Sequence, residues 1–187
     1  MSFVTRSELE SMGFKKIGKD VKFSSRAVVY NPETIELDDY CRIDDFTILS
    51  GVLEIGKYVH IASHCNIAGG VAGIFIKDFV GVATGSALLS RSDDYSGETL
   101  TNPNIPMKYK KVIDKSLTIG RHALFGAGCI VLPGCDIGEG CSFGARSTIT
   151  RPTIPWYIYT GTPAKPHARR RIDLLRLELE LLNETLT

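Results

Sequence analysis

The chain has 187 residues, with 22 Lys and Arg against 21 Asp and Glu, a formal net charge of +1. That length favours one domain. A hydrophobic share of 43% beside 23% charged residues excludes wholesale disorder and a collagen-like fibre, and the near-neutral balance supplies no general drive toward nucleic acid. No apolar run is long enough to span a bilayer, and Glu8 and Glu10 fall where a secretory signal would need hydrophobic residues. The expectation is a cytoplasmic protein with no stable membrane insertion. The cysteines, Cys41, Cys65, Cys129, Cys135 and Cys141, contain no close C-x-x-C pair, which argues against a disulfide framework or a structural zinc site.

Residues 1–16 read as an N-terminal cap, in which Ser7 and Glu10 have capping-box spacing and Gly13 can end a short helix. From Ile17 onward an aliphatic or Phe side chain recurs every six residues: Ile17, Phe23, Val29, then Leu37, Ile43, Leu49, Ile55, Ile61, Ile67. After a short interruption near Gly69–Gly73 the series continues at Ile76, Val82 and Leu88. After a long one it resumes at Ile119, Phe125, Val131, Ile137, Phe143 and Ile149. This period belongs neither to an amphipathic helix nor to a plain strand. A second, mostly small column lies four residues after the first and takes in every cysteine, so each Cys reads as a small buried hydrophobe. Glycines follow the first column at Gly18, Gly56, Gly120, Gly126, Gly138 and Gly144, as tight corners favour.

Short strands with a corner every six residues make a triangular prism of parallel strands, an all-β solenoid over residues 17–155 whose coils bury their inward residues by stacking. The polar, turn-rich stretch 89–115 must be ejected sideways from a corner, and such loops carry function disproportionately. In the C-terminal segment 156–187, Trp156 reads as closing the prism end or an intersubunit contact. Ile172, Leu175, Leu179 and Leu182, widened by Leu174 and Leu181, give a helical stripe that packs on a prism; Glu178 and Glu180 interrupt it and exclude a membrane role.

The hexads IGKYVH, IGRHAL, FGAGCI and IGEGCS, followed by TRPTIPWYIYTGTPAKPH, resemble the left-handed β-helix hexapeptide-repeat acyltransferases, closest to the galactoside, maltose and polysaccharide O-acetyltransferase group. The likeness covers roughly Leu37 to Pro166. It implies a left-handed parallel β-helix, a homotrimer with active sites between subunits, and acetyl-CoA as co-substrate. It also implies a sugar or nucleotide-sugar acceptor in cell-surface polysaccharide or glycoside metabolism. Cofactor positions implied by the resemblance are Gly126 and Ala127 in FGAGCI, Gly144 and Ala145 in FGARST, then Thr150, Arg151 and Lys165, with Arg169 near the nucleotide phosphates. Cations suit phosphate there. The oxyanion donor would be a backbone N–H near Ala127.

Acetyl transfer to an alcohol needs a general base. Where the resembling enzymes carry their His, five residues after inward Leu88, this chain has Asp93. His60, just before inward Ile61, faces outward and is the leading candidate for the base, with Asp93 or Asp94 orienting it. His64, at a corner, is second. Asp94, Tyr95 and Asn102 of the ejected loop, with His64, are candidate acceptor contacts, whereas His122 reads as structural and His167 as too close to the phosphate site for base work. The leading function is an acetyl-CoA-dependent O-acetyltransferase of a sugar hydroxyl. An N-acetyltransferase of a nucleotide-linked amino sugar is the near alternative, since an uncharged amine needs less help from a base. A zinc hydratase of the carbonic anhydrase type, using His60, His64 and His122, and a non-catalytic scaffold are the other classes. No metal site and no nucleic-acid partner is expected.

Overall fold

The computed structural model describes residues 2–185. Three sheets form the faces of a prism. The first face is built from Lys16–Ile17, Ile35–Leu37, Leu53–Ile55, Ile74–Ile76 and Leu117–Ile119. The second runs through Lys22–Phe23, Arg42–Ile43, His60–Ile61, Gly81–Val82, Leu124–Phe125, Ser142–Phe143 and Tyr157–Thr160, with Lys165–Arg169 added antiparallel at its end. The third runs through Val28–Tyr30, Ile48–Ser50, Asn66–Ala68, Ala87–Leu89, Ile130–Val131 and Thr148–Ile149.

The register explains the six-residue period. On the second face Phe23 lies beside Ile43, Ile43 beside Ile61, and so on through Val82, Phe125, Phe143 and Tyr159. Those side chains are buried, and Phe125, Phe143 and Tyr159 stack with ring centroids 5.0 and 5.5 Å apart. Each buried aliphatic or aromatic contributes on the order of 1.5–3 kcal/mol by leaving water, but only because the next coil covers it. All five cysteines are free and buried at corners, and burial pushes the Cys41 thiol up to about 12, so none is a ready nucleophile.

The corners adopt a conformation that the apolar pattern does not reveal. The residue just before each small-column position at the first-to-second corner has a left-handed backbone: Asp20, then Tyr40, Tyr58, Phe79, His122 and Gly140, with Trp156 repeating it after the last coil. Their rings stack outside the prism, Tyr40 on Tyr58 at 4.8 Å, Tyr58 on Phe79 at 4.9 Å and Phe79 on His122 at 5.2 Å. Gly140 is obligatory in this ladder, because a Cβ there would run into the Trp156 ring. The second-to-third corner repeats the backbone at Phe46, His64, Gly85, Gly128 and Arg146, but only Phe46 and His64 stack, at 5.0 Å.

The two terminal helices each sit differently from the sequence expectation. Helix α1 (Arg6–Ser11) is closed by a capping box of Thr5 and Glu8, not Ser7 and Glu10. Ser7 already lies in the first turn, and Glu10 is drawn instead into an ion pair with Arg6 at 2.6 Å. Leu9 of α1 is buried against the prism. Helix α2 (Leu174–Thr185) faces the second face across a groove bordered by Leu174, Leu177, Glu178 and Leu181; of the expected stripe Leu174, Leu175 and Leu182 are half-buried, while Ile172, Leu179 and Leu181 are exposed. The reason is electrostatic: Arg121 and His122 on the prism both take the Glu178 carboxylate, turning the helix so that a charged side chain is its most buried one. No helix among the described residues is long and apolar enough to cross a membrane.

The long interruption leaves the prism after Ala87–Leu89 and returns at Leu117–Ile119. Its stalk is an antiparallel pair, Arg91–Asp93 with Val112–Asp114.

Candidate active site

The residues singled out in the sequence fall into three places. The first is the outward surface of the second face. His60 Nε2 lies 2.8 Å from Asp44 Oδ2, and Arg42 Nε donates to Asp44 Oδ1 at 2.7 Å. Asp44 has only 7% of its side chain exposed. Burial pushes its carboxyl up, but the hydrogen bonds from Arg42 and His60 outweigh that and hold it below the usual carboxylate value. Within one chain it is therefore Asp44, not Asp93 or Asp94, that orients His60. Asp44 was missed, although its signal is simple: it follows inward Ile43, so it projects outward, and Arg42 pairs in register with His60 on the next coil. His122 borders the same groove under α2. Its Nε2 lies 2.8 Å from Glu178 Oε2, and burial together with the Arg121 and Arg170 guanidiniums holds the imidazole below its ordinary value.

The second place is a cavity of about 750 Å³ between the ejected stalk and the third face, bordered by Leu89, Asp93, Tyr95, Ile113, Lys115, Leu132 and Thr150. The Asp93 carboxylate accepts no hydrogen bond from a described residue, so it can take a donor from a ligand. Asp94 is committed to the loop: it accepts from Ser96 N at 3.0 Å, Ser96 Oγ at 2.9 Å and Thr99 Oγ1 at 3.1 Å, and the backbone bond foremost holds its pKa down. Asn102 likewise shapes the loop, its Oδ1 accepting from Asn104 N at 3.0 Å. Tyr95 is 91% exposed.

The third place is the second-to-third edge and its continuation. Gly126, Ala127 and Ala145 stand there on neighbouring coils, with Ala127 and Ala145 exposed. His64 lies on the same edge two coils earlier, beside Thr84, whose Oγ1 donates to the Ser63 carbonyl at 2.8 Å. The G-T-P-A-K turn sits on the last rung: Thr162 Oγ1 donates to the Arg146 carbonyl at 3.1 Å and Ala164 N to the Thr148 carbonyl at 2.8 Å. Beyond it Thr150, Arg151 and Lys165 border a cavity of about 440 Å³, and Thr150 also borders the loop cavity. Arg169 stands apart, its guanidinium 5.5 Å from the Tyr157 ring centroid. Arg146, exposed on this edge, is a cation that sequence reasoning passed over; the left-handed corner register would have found it.

The histidines do not converge. His60 is on a flat face and His64 and His122 are on different corners, and no group of three His, Cys, Asp or Glu side chains among the described residues is placed to hold a metal ion.

A prism with its edge lined by small residues, a cationic end and an ejected loop defines a class, and comparison with known proteins names it. Residues 116–151 match the family model "Bacterial transferase hexapeptide (six repeats)". The chain is 34% identical over 181 residues to the dTDP-4-amino-4,6-dideoxy-D-glucose acyltransferase of Escherichia coli, covering 95% of this chain and 94% of that one. It is 38% identical to AntD, an N-acyltransferase from Bacillus cereus solved in complex with dTDP and 3-hydroxybutyryl-CoA, with a TM-score of 0.97 over 100% of this chain and 99% of that one. A weaker match, 28% over 134 residues (66% of this chain, 63% of the other), is to WbbJ of Escherichia coli K12, named for O-acetyl transfer in lipopolysaccharide biosynthesis. The chain belongs to the hexapeptide-repeat acyltransferases, and its fold is their left-handed parallel β-helix.

Proposed function

We propose that this protein transfers an acyl group from acyl-CoA to the amino group of a dTDP-linked amino sugar. The observation that carries the reading is likeness over the whole chain to two proteins named for acyl transfer, one of them to dTDP-4-amino-4,6-dideoxy-D-glucose. The O-acetyl reading, first in the sequence analysis, has the weaker and shorter match behind it. It gives way to the amine acceptor.

The residues of the three places suit that chemistry. A CoA would set its phosphates against Arg146, Arg151 and Lys165 and run its pantetheine along Ala145, Gly126 and Ala127, where no long side chain blocks the edge. An amino sugar arrives largely as its ammonium and must lose a proton before it attacks the thioester. Asp93, an unengaged carboxylate in the loop cavity, is suited to hold that ammonium; His60, polarised by Asp44, is the other group able to take a proton. The tetrahedral intermediate then collapses with departure of the CoA thiolate. Assembly as a homotrimer belongs to this reading. Val28 and Ile48 are outward neighbours on the third face, 43% and 38% exposed, and Ile130, 39% exposed, lies in the same line beyond Asn66 and Ala87, a partly apolar surface such as a second copy would cover.

The test is thiol release from acetyl- and 3-hydroxybutyryl-CoA with dTDP-4-amino-4,6-dideoxyglucose as acceptor, beside the same sugar nucleotide carrying a hydroxyl at that carbon. Release with the amine and at least about a hundredfold less with the alcohol is expected. Equal or greater turnover of the alcohol restores O-transfer, and release with neither refutes the acceptor class.

A further inference from the structure

The second-to-third edge carries a ladder of side chains that is broken at two successive glycines. Phe46 and His64 stack at 5.0 Å, with the Arg26 guanidinium 5.8 Å from the Phe46 ring centroid on the other side. The next rung is Gly85, at which an added Cβ would meet nothing within 4 Å. The rung after it is Gly128, likewise without a side chain, where a Cβ would lie 3.6 Å from Arg146 Cγ. Rungs of a β-sheet stack about 4.8 Å apart. Two successive rungs thus carry no side chain, with an imidazole face as their floor and the Arg146 stem beyond them.

The polarity of the edge says which part of a ligand reaches the opening. Arg146 and Lys165 stand at the late end, whereas at the early end the cation beside Phe46, Arg26, faces the Asp45 carboxylate at 3.9 Å, so its charge is offset. An acyl-CoA with phosphates at the late end runs toward the early coils and brings its acyl group, the last part of the molecule, to the Gly85 rung. There it meets the flat face of His64, already backed by Phe46. An aromatic ring stacked on a second ring is a rigid stop for an alkyl chain.

We propose that the His64 ring is the end wall of the acyl pocket and sets the longest acyl chain the enzyme accepts. This rests on the acyl-CoA reading above. His64 is then a specificity residue and not a base. Opening its rung lengthens the pocket by about 4.8 Å, room for three or four more methylenes. Phe46 lies behind the wall and limits the pocket only once His64 is gone.

The experiment measures kcat/KM for acetyl-, butyryl- and hexanoyl-CoA with the amino-sugar nucleotide, in wild type, His64→Gly, Phe46→Gly and Gly85→Asn. Gly tolerates the φ of 60° at position 64 and 61° at position 46, and Asn is among the residues that enter the left-handed region most readily. Expected is a rise of about tenfold or more in the hexanoyl-to-acetyl ratio for His64→Gly, no change in that ratio for Phe46→Gly, and selective loss of butyryl and hexanoyl transfer in Gly85→Asn. A His64→Gly enzyme slowed equally for every chain length, or a Phe46→Gly enzyme whose ratio moves as far as that of His64→Gly, overturns the proposal. A wild type that turns over none of the three donors refutes the acyl-CoA reading itself, an outcome legible in that arm alone.

Discussion

Two corners of this prism share a backbone and differ in what they stack. At the first-to-second corner the left-handed position carries Tyr40, Tyr58, Phe79, His122 and, over Gly140, Trp156, an almost unbroken aromatic ladder. At the second-to-third corner the same position carries Phe46 and His64, then two glycines, then Arg146. The filled edge spends its side chains on each other and on helix α2. The broken edge leaves backbone and small residues bare on the coils that lead to Lys165. The solenoid lets the edges diverge because each corner is set by its own residue at each coil, so one can be given to cohesion while another is kept open for a ligand.

Glycine substitutions break the comparison most directly. Gly140→Ala and Gly85→Ala both place an alanine at positive φ, 64° and 72°, which costs about 1–2 kcal/mol at either site. Only at Gly140 does the new Cβ also strike a ring, that of Trp156. Urea denaturation should therefore show a loss of about 3–4 kcal/mol for Gly140→Ala against about 1–2 kcal/mol for Gly85→Ala, the excess being the cost of forcing a packed ring aside. Equal losses would mean that the aromatic ladder is not tightly packed.

Glu178→Ala comes next. The carboxylate is 6% exposed and joins α2 to Arg121 and His122, and its removal leaves a buried imidazole and a half-covered guanidinium without their acceptor. A loss of about 2–3 kcal/mol is expected by the same denaturation, together with faster amide exchange in α2. Loss of stability without faster exchange in α2 would show that Glu178 does not dock the helix.

These residues also mark where reading the sequence stopped. The inward columns were legible because burial demands apolar side chains at a fixed period, and Ile17 through Ile149 lie in the register that the period implies. The corner rungs were not, because a left-handed position tolerates Tyr, His, Gly or Arg alike when the ring or stem points to solvent. No single residue type marks it. The stripe of α2 was legible in part, Leu174, Leu175 and Leu182 being half-buried, but it hid the most buried side chain of the helix, Glu178, because an apolar pattern takes no account of the Arg121 and His122 side chains facing it. Thr150, Arg151 and Lys165, which the resemblance implied for the cofactor, meet around one cavity because the turn at Gly161–Lys165 folds back on the last coil. His60, by contrast, could be placed outward by phase alone, while its partner Asp44 required knowing which coil lies beside it.

The smallest effect concerns that pair and separates the flat face from both corners. Asp44 titrates below its ordinary value in the folded chain, with Arg42 and His60 as the groups that hold it ionised. An unfolded Asp takes up its proton near 3.8, before the folded one does. The stabilisation from Asp44 is therefore present above that pH and is lost as pH falls through the lower folded value. Asp44→Asn should flatten the acid limb of a stability-versus-pH curve below about pH 4 and leave the limb above pH 5 parallel to wild type. If His60 also takes the acceptor's proton, the same variant lowers kcat and shifts its pH profile with KM for acyl-CoA unchanged. A changed acid limb with an unmoved pH profile would assign the pair to holding adjacent coils together, and leave Asp93 as the group that meets the ammonium.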